Sequence, residues 1–257
     1  MWSVYRCLRV ASIGVALLGA PAVARAELTV AAASDLQTVL PQITAQFQRV
    51  SGETVRVAYG SSGNFVAQIQ NGAPFDLFLS ADTEYVQRLV ASGHAVGSTA
   101  MEYATGRLVL WARSDRHLDL TRGLALLPDA AVRTIAIANP QHAPYGRAAV
   151  AALQHAGVYD TVKSRLVLGE NIAQAAQFVE SGNADAGLIA MSLAVAPSLR
   201  ASGNYREVPQ DLYPPIRQGA AVLSRSTQRA AAEQFLTFMK RPEIVALQQA
   251  SGFGAPR

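Results

Sequence analysis

The residues best suited to chemistry in this chain are small and uncharged. Gly60-Ser61-Ser62-Gly63 lies between a strand-like run and a helical pattern. A hydroxyl-rich turn at a helix start offers an anion free backbone N–H groups, serine O–H groups and the positive end of the helix dipole. The turn contains no lysine or arginine. That suits reversible capture of a small oxyanion and speaks against a nucleic-acid or membrane surface.

Three further junctions share this character: Ala33-Ser34-Asp35, Ala143-Pro144-Tyr145-Gly146 and Glu170-Asn171-Ile172. In an open α/β sheet such junctions gather at the carboxyl ends of the strands, where ligands bind. Four helix starts, two from each half of the molecule, would surround a tetrahedral oxyanion. The candidate contacts are Ser34, Ser62, Tyr145 and Ile172, the last through its backbone alone. Each has a plainer role open to it: Ser34 as a helix cap, Ser62 as a turn residue, Tyr145 as packing and Ile172 as core. A hydrogen bond to a charged group contributes about 1.5–3 kcal/mol net, and a helix terminus about 0.3–1 kcal/mol. Several together reach micromolar binding, about −8 kcal/mol.

Catalytic patterns are weak. The histidines His94, His117, His142 and His155 lack the spacing of a zinc helix. Ser61 or Ser62 with a histidine and Asp76 can be imagined as a nucleophilic triad, but the G-x-S-x-G elbow is absent. No enzyme is expected and no cofactor is implied.

The elements that must hold these turns alternate between strand and helix. Leu28–Ala33 reads as a buried strand, and Ser34 as the cap of one helix running from Asp35 to about Val50. Thr54–Tyr59 is a strand, Asn64–Gln70 a helix and Asp76–Ser80 a strand. Asp82 caps a helix over Thr83–Ala91. A second set follows: strand Thr134–Ala138, helix Arg147–Ala156, strand Arg165–Leu168, helix Ile172–Glu180 and strand Asp185–Ala190. The helix Thr227–Lys240 stops before Pro242. Such units predict an α/β fold with mostly parallel sheets flanked by helices. Arg107–Arg113 and Gly219–Ser224 are the expected crossings between two lobes: residues 27–106 with 220–257, and residues 107–219. Lobes joined this way close on a ligand like a hinge.

The front of the chain carries Arg6 and Arg9, the apolar run Val10–Ala20, and Ala24-Arg25-Ala26. This reads as a secretory signal peptide over residues 1–26, cleaved after Ala26, because the run is too short to span a bilayer. The whole chain has 22 Lys+Arg against 18 Asp+Glu. Arg6, Arg9 and Arg25 leave with the signal, so 19 basic residues remain against 18 acidic ones. The basic precursor is therefore no sign of a nucleic-acid partner. Cys7, the single cysteine, leaves too, and the exported chain has no disulfide to rest on.

In order and spacing the segments LTVAAAS, YGSSGNFVAQI, NGAPFDLFLSAD, RLVLWA, ANPQHAPYG, LGENIAQAAQFVESGNADAGLIA, FLTFMKRPE and GFG are highly specific. Together they span nearly all of the exported chain, which resembles the periplasmic molybdate-binding proteins of ABC importers. The resemblance implies a two-lobed periplasmic binding fold, type II-like, with the ligand between the lobes. It implies a monomeric periplasmic receptor that captures molybdate, and tungstate as a second ligand, and hands it to a membrane permease. It also implies that Ser34, Ser62, Tyr145 and Ile172 are the contacts, with molybdenum held only inside the oxyanion. One departure stands out. Some members place a tyrosine where this chain has Ala190, and Tyr145 is expected to supply the phenol instead. The alternatives are a receptor for another small anion such as sulfate, or a secreted serine hydrolase.

Overall fold

The structure is a computed structural model that describes Trp2 and residues 27–256. The expected signal peptide over residues 1–26 lies outside the described residues, Trp2 apart. The described chain forms two five-stranded sheets. The strands are β1 (Leu28–Ala33), β2 (Val55–Gly60), β3 (Leu77–Ser80), β4 (Met101–Gly106), β5 (Leu108–Arg113), β6 (Ile135–Ala138), β7 (Leu166–Gly169), β8 (Ala186–Ala190), β9 (Gly203–Glu207) and β10 (Ile216–Val222). The helices are α1 (Leu40–Ser51), α2 (Ser62–Gln70), α3 (Thr83–Ala91), α4 (Pro144–His155), α5 (Tyr159–Val162), α6 (Ile172–Glu180), α7 (Met191–Ala194), α8 (Pro197–Ser202), α9 (Arg229–Met239) and α10 (Pro242–Ala250).

The first sheet has the order β2-β1-β3-β10-β4 and the second β7-β6-β8-β5-β9. In each, three strands pair in parallel and the rest join antiparallel. The central strands are covered on both faces, which is why they read as unbroken apolar runs. Leu28, Val30 and Ala32 pack with residues of α1, α9 and α10. Ala31 and Phe78 pack on the other face with residues of α2 and α3. Phe47 meets Phe235 edge-on with ring centroids 5.0 Å apart. The second sheet has its own core around Trp111, Ile137 and Leu188.

The expected α/β class and two-sheet design are thus observed, with local differences. Ser34 does not cap a single long helix. Ser34–Leu36 is a 3-10 turn, and α1 begins only at Leu40. Pro41 explains the break, since proline fits the first turn of a helix and not its interior. The same logic reverses the reading at Pro242, which opens α10. Strands β4 and β9 were not foreseen. Most of β9 is exposed at a sheet edge, where the lack of burial leaves no apolar signal to read. The first crossing is Arg107 alone, between β4 and β5. The return precedes Ile216, because β10 pairs with β4 from Ile216↔Gly106 onward. The division expected between 219 and 220 therefore falls inside a strand of the first sheet. Trp111 lies in the second core and is fully buried, not at a crossing.

Phe235 has no exposed surface and anchors the aromatic cluster with Phe47. Phe235→Ala is expected to destabilise the first lobe by about 3–5 kcal/mol, read as a lower urea midpoint.

Candidate functional site

The carboxyl ends of the parallel strands face each other across the lobes, and the turns that leave them meet in one place. Ser34 follows β1, Ser62 opens α2, Tyr145 lies in the first turn of α4 and Ile172 begins α6. All four expected contacts line a single small pocket, the chamber, with Asp35, Gly60, Ser61, Ala81, Asn171 and neighbours. Its free volume is only about 10 Å³ for the centre of a water-sized sphere. That is room for about one water-sized body, so any larger solute requires the walls to move apart. No lysine, arginine or histidine lines it. A groove of about 450 Å³ opens beside it and shares Ser34 and Asn171 with it.

The donors are free for a ligand because the caps are already used. The Asn171 side chain accepts from the N–H groups of Ala173 (3.0 Å) and Gln174 (3.1 Å). The Ile172 N–H, at the first position of α6, is left to the chamber. Ser62 Oγ accepts from the Ala81 N–H at 2.9 Å, so its own proton is available to point inward. Ser34 Oγ accepts a long bond from the Ala173 N–H across the cleft, 3.4 Å, and keeps its proton too.

Tyr145 differs from expectation. Its hydroxyl donates to Asp35 Oδ2 at 3.1 Å and is fully buried. The phenol does not replace the hydroxyl missing at Ala190; it bridges the lobes. What Tyr145 offers the chamber is its N–H, in the first turn of α4. Gly106 makes room for this: a Cβ there would sit inside the Tyr145 hydroxyl. Asp35 also accepts from the Gln218 amide, and Gln218 accepts from the Tyr103 hydroxyl at 2.7 Å. Burial pushes the Asp35 carboxyl up to about 6, while the bonds from Gln218 and Tyr145 and the nearby Asp35 and Leu36 N–H groups pull the other way. By local sequence Asp35 is only the first turn of a helix, and nothing in its neighbours signals its burial.

Around the chamber the lobes are stitched together. The Gly63 N–H donates to the His142 carbonyl at 2.9 Å. Ser61 Oγ donates to the same carbonyl at 2.6 Å and lies 2.8 Å from His142 Nδ1. With its one proton on the carbonyl, Ser61 accepts from Nδ1–H, the reverse of what a nucleophilic serine needs. Asp76 is remote from this pair, bonded to Thr29 and Ser226. On another side, Arg147 of α4 pairs with Asp82 and donates to the Tyr85 hydroxyl at 3.0 Å. Asp82 also caps α3 as expected, accepting from the Glu84 N–H.

Known proteins resemble this chain over most of its length. A family model described as bacterial extracellular solute-binding protein matches residues 28–254. The molybdate-binding protein ModA of Azotobacter vinelandii is 39% identical over 245 residues, 95% of this chain and 96% of that protein. ModA of Rhodobacter capsulatus is 39% identical over 249 residues, 96% of each. The solved Azotobacter vinelandii periplasmic molybdate-binding protein superposes with a TM-score of 0.84 at 35% identity, covering 90% of this chain and all of that one.

Two outcomes follow. A Cβ on Gly63 would lie 2.7 Å from the His142 carbonyl oxygen, so Gly63→Ala is expected to hold the lobes apart. Small-angle X-ray scattering should show a larger radius of gyration, and an unchanged radius would rule the contact out as a limit on closure. For Asp35 the sign is set by a folded pKa above the ordinary 3.8. The folded state carries a penalty above about pH 6 that fades as pH falls and is gone below about 4. At about 1.4 kcal/mol per unit this is roughly 3 kcal/mol at neutral pH. Asp35→Asn is expected to be the more stable protein at pH 7 and equal to the parent at pH 4, read by urea denaturation.

Proposed function

This chain belongs to the bacterial extracellular solute-binding proteins, and from that premise we propose that it is a receptor that captures molybdate between its lobes for an ABC importer. It is a binding protein and not an enzyme. The observation that carries the ligand assignment is the chamber: four helix or turn starts from two lobes converge on one small space, with no cationic side chain in its lining. A tetrahedral dianion suits those converging donors in symmetry and charge. The curated relatives of Azotobacter and Rhodobacter are named for molybdate.

In this reading the Ser34 and Ser62 hydroxyls and the Tyr145 and Ile172 N–H groups hold the oxo groups, and no residue bonds to the metal itself. Tungstate, of the same charge and shape, is the second ligand. The protein works in the periplasm as a monomer after cleavage behind Ala26, and delivers its cargo to a membrane permease. Release requires the lobes to part, because the walls of the chamber come from both of them.

Calorimetric titration with molybdate, tungstate, sulfate and phosphate tests the assignment. Molybdate and tungstate should bind at micromolar concentration or below, with sulfate and phosphate far weaker. A preference for sulfate or phosphate would overturn the ligand. Ser62→Ala should lose about 1.5–3 kcal/mol of binding, roughly tenfold to a hundredfold in Kd.

A further inference from the structure

The chamber contains one group that a neutral anion site does not require. Asp35 lines it and has no exposed surface. Its Oδ2 is engaged by Tyr145 and Gln218, while its Oδ1 has no hydrogen-bond partner. A buried carboxylate oxygen without a donor is unfavourable by itself. An ionised carboxylate beside a bound dianion is worse, since like charges at short range in a dry site repel strongly. A proton between the two removes the conflict. Hydrogen phosphate would bring that proton on the anion. Molybdate has none near neutral pH, so the proton must sit on the carboxyl.

Resting on the reading of this chamber as a molybdate site, we propose that Asp35 Oδ1 is protonated in the anion-bound state and donates a hydrogen bond to an oxo group. Capture then takes up one proton. An O–H bond forms at Oδ1 with a proton drawn from the buffer, no bond of the anion breaks, and nothing is oxidised or reduced. Opening of the lobes returns the proton. Hydrogen phosphate, which carries its own proton, can bind beside the ionised carboxylate without that uptake.

The groups around Asp35 do not supply this proton. From α4 comes Tyr145 and from β4 Tyr103, both phenols held well above their ordinary range by burial and by Asp35 itself. From β10 comes the neutral Gln218, and from α7 the Ser192 hydroxyl, which donates to the Asp35 carbonyl at 2.8 Å. The chamber residues at the starts of α2 and α6, Ser62, Asn171 and Ile172, do not titrate. The ionic pair Arg147–Asp82 lies outside the chamber lining, as does His142, 3.9 Å from Glu170.

Molybdate is titrated into the exported chain and into Asp35→Asn, in two buffers of different ionisation enthalpy at about pH 8. The parent should take up close to one proton per molybdate, and its affinity should fall about tenfold per pH unit above neutrality. Asp35→Asn should bind molybdate with no proton uptake and no such slope. Binding by the parent without uptake would overturn the inference and leave the receptor reading standing. Uptake that persists in Asp35→Asn would also overturn it, because the proton would then go elsewhere. No binding of molybdate by the parent at any pH would overturn the receptor reading and this inference together.

Discussion

An anion leaves water only for a site that replaces its hydration shell. In the proposed reading of this protein the replacement is made from amide and hydroxyl dipoles fixed at the starts of helices, not from mobile cations, which do not line the chamber. That choice constrains everything else. Each helix start supplies a few free N–H groups, so several must converge on one point. Helix starts leave the carboxyl ends of parallel strands, so convergence from opposite sides needs two sheets facing each other. The chamber lining, drawn from β1, α2, α4 and α6 alike, is the result.

Closure follows from the same constraint. Dipoles act strongly on charge only where water is excluded, and water is excluded only when the lobes touch. The bonds that cross the cleft are of two kinds. Those outside the chamber, such as Arg147 with Asp82, are partly exposed, and pairs of that kind contribute little in water. Those at the centre are buried: Tyr145 to Asp35, and Ser192 to the Asp35 backbone. The inner contacts join one lobe to the other, so parting the lobes would break them, and they would bias an equilibrium between open and closed forms and with it the apparent affinity. Gly63 shows how tight that arrangement is, since its backbone meets that of His142 with no room for a side chain.

Asp35 stands in tension with this plan, as a carboxyl placed inside a site for negative charge. Its partners Tyr145 and Gln218 come from both sides of the cleft, and Tyr103 continues the chain of bonds through Gln218. Networks of this kind favour one geometry when every member is satisfied and penalise it when one is not. Here the free oxygen is Oδ1. The network thus joins lobe closure to the state of the ligand chamber through a single side chain.

Much of this was legible in the residues themselves. Buried parallel strands betray themselves as apolar runs, as LTVAAA and DAGLIA do, because both faces are covered. Glycine and serine before a helical pattern mark a helix start, which is a local property of the backbone, and so Ser34, Ser62, Tyr145 and Ile172 could be picked out by type and position. Tertiary structure decided what local chemistry does not encode: that these four starts meet, that the Tyr145 hydroxyl turns to Asp35 while only its N–H is left for the chamber, and that Asp35 is buried instead of opening a long helix. Burial, closure and the pairing of Gly63 with His142 are contacts between residues far apart in the chain. The packing of one lobe against the other sets them, and no run of neighbouring residues carries that information.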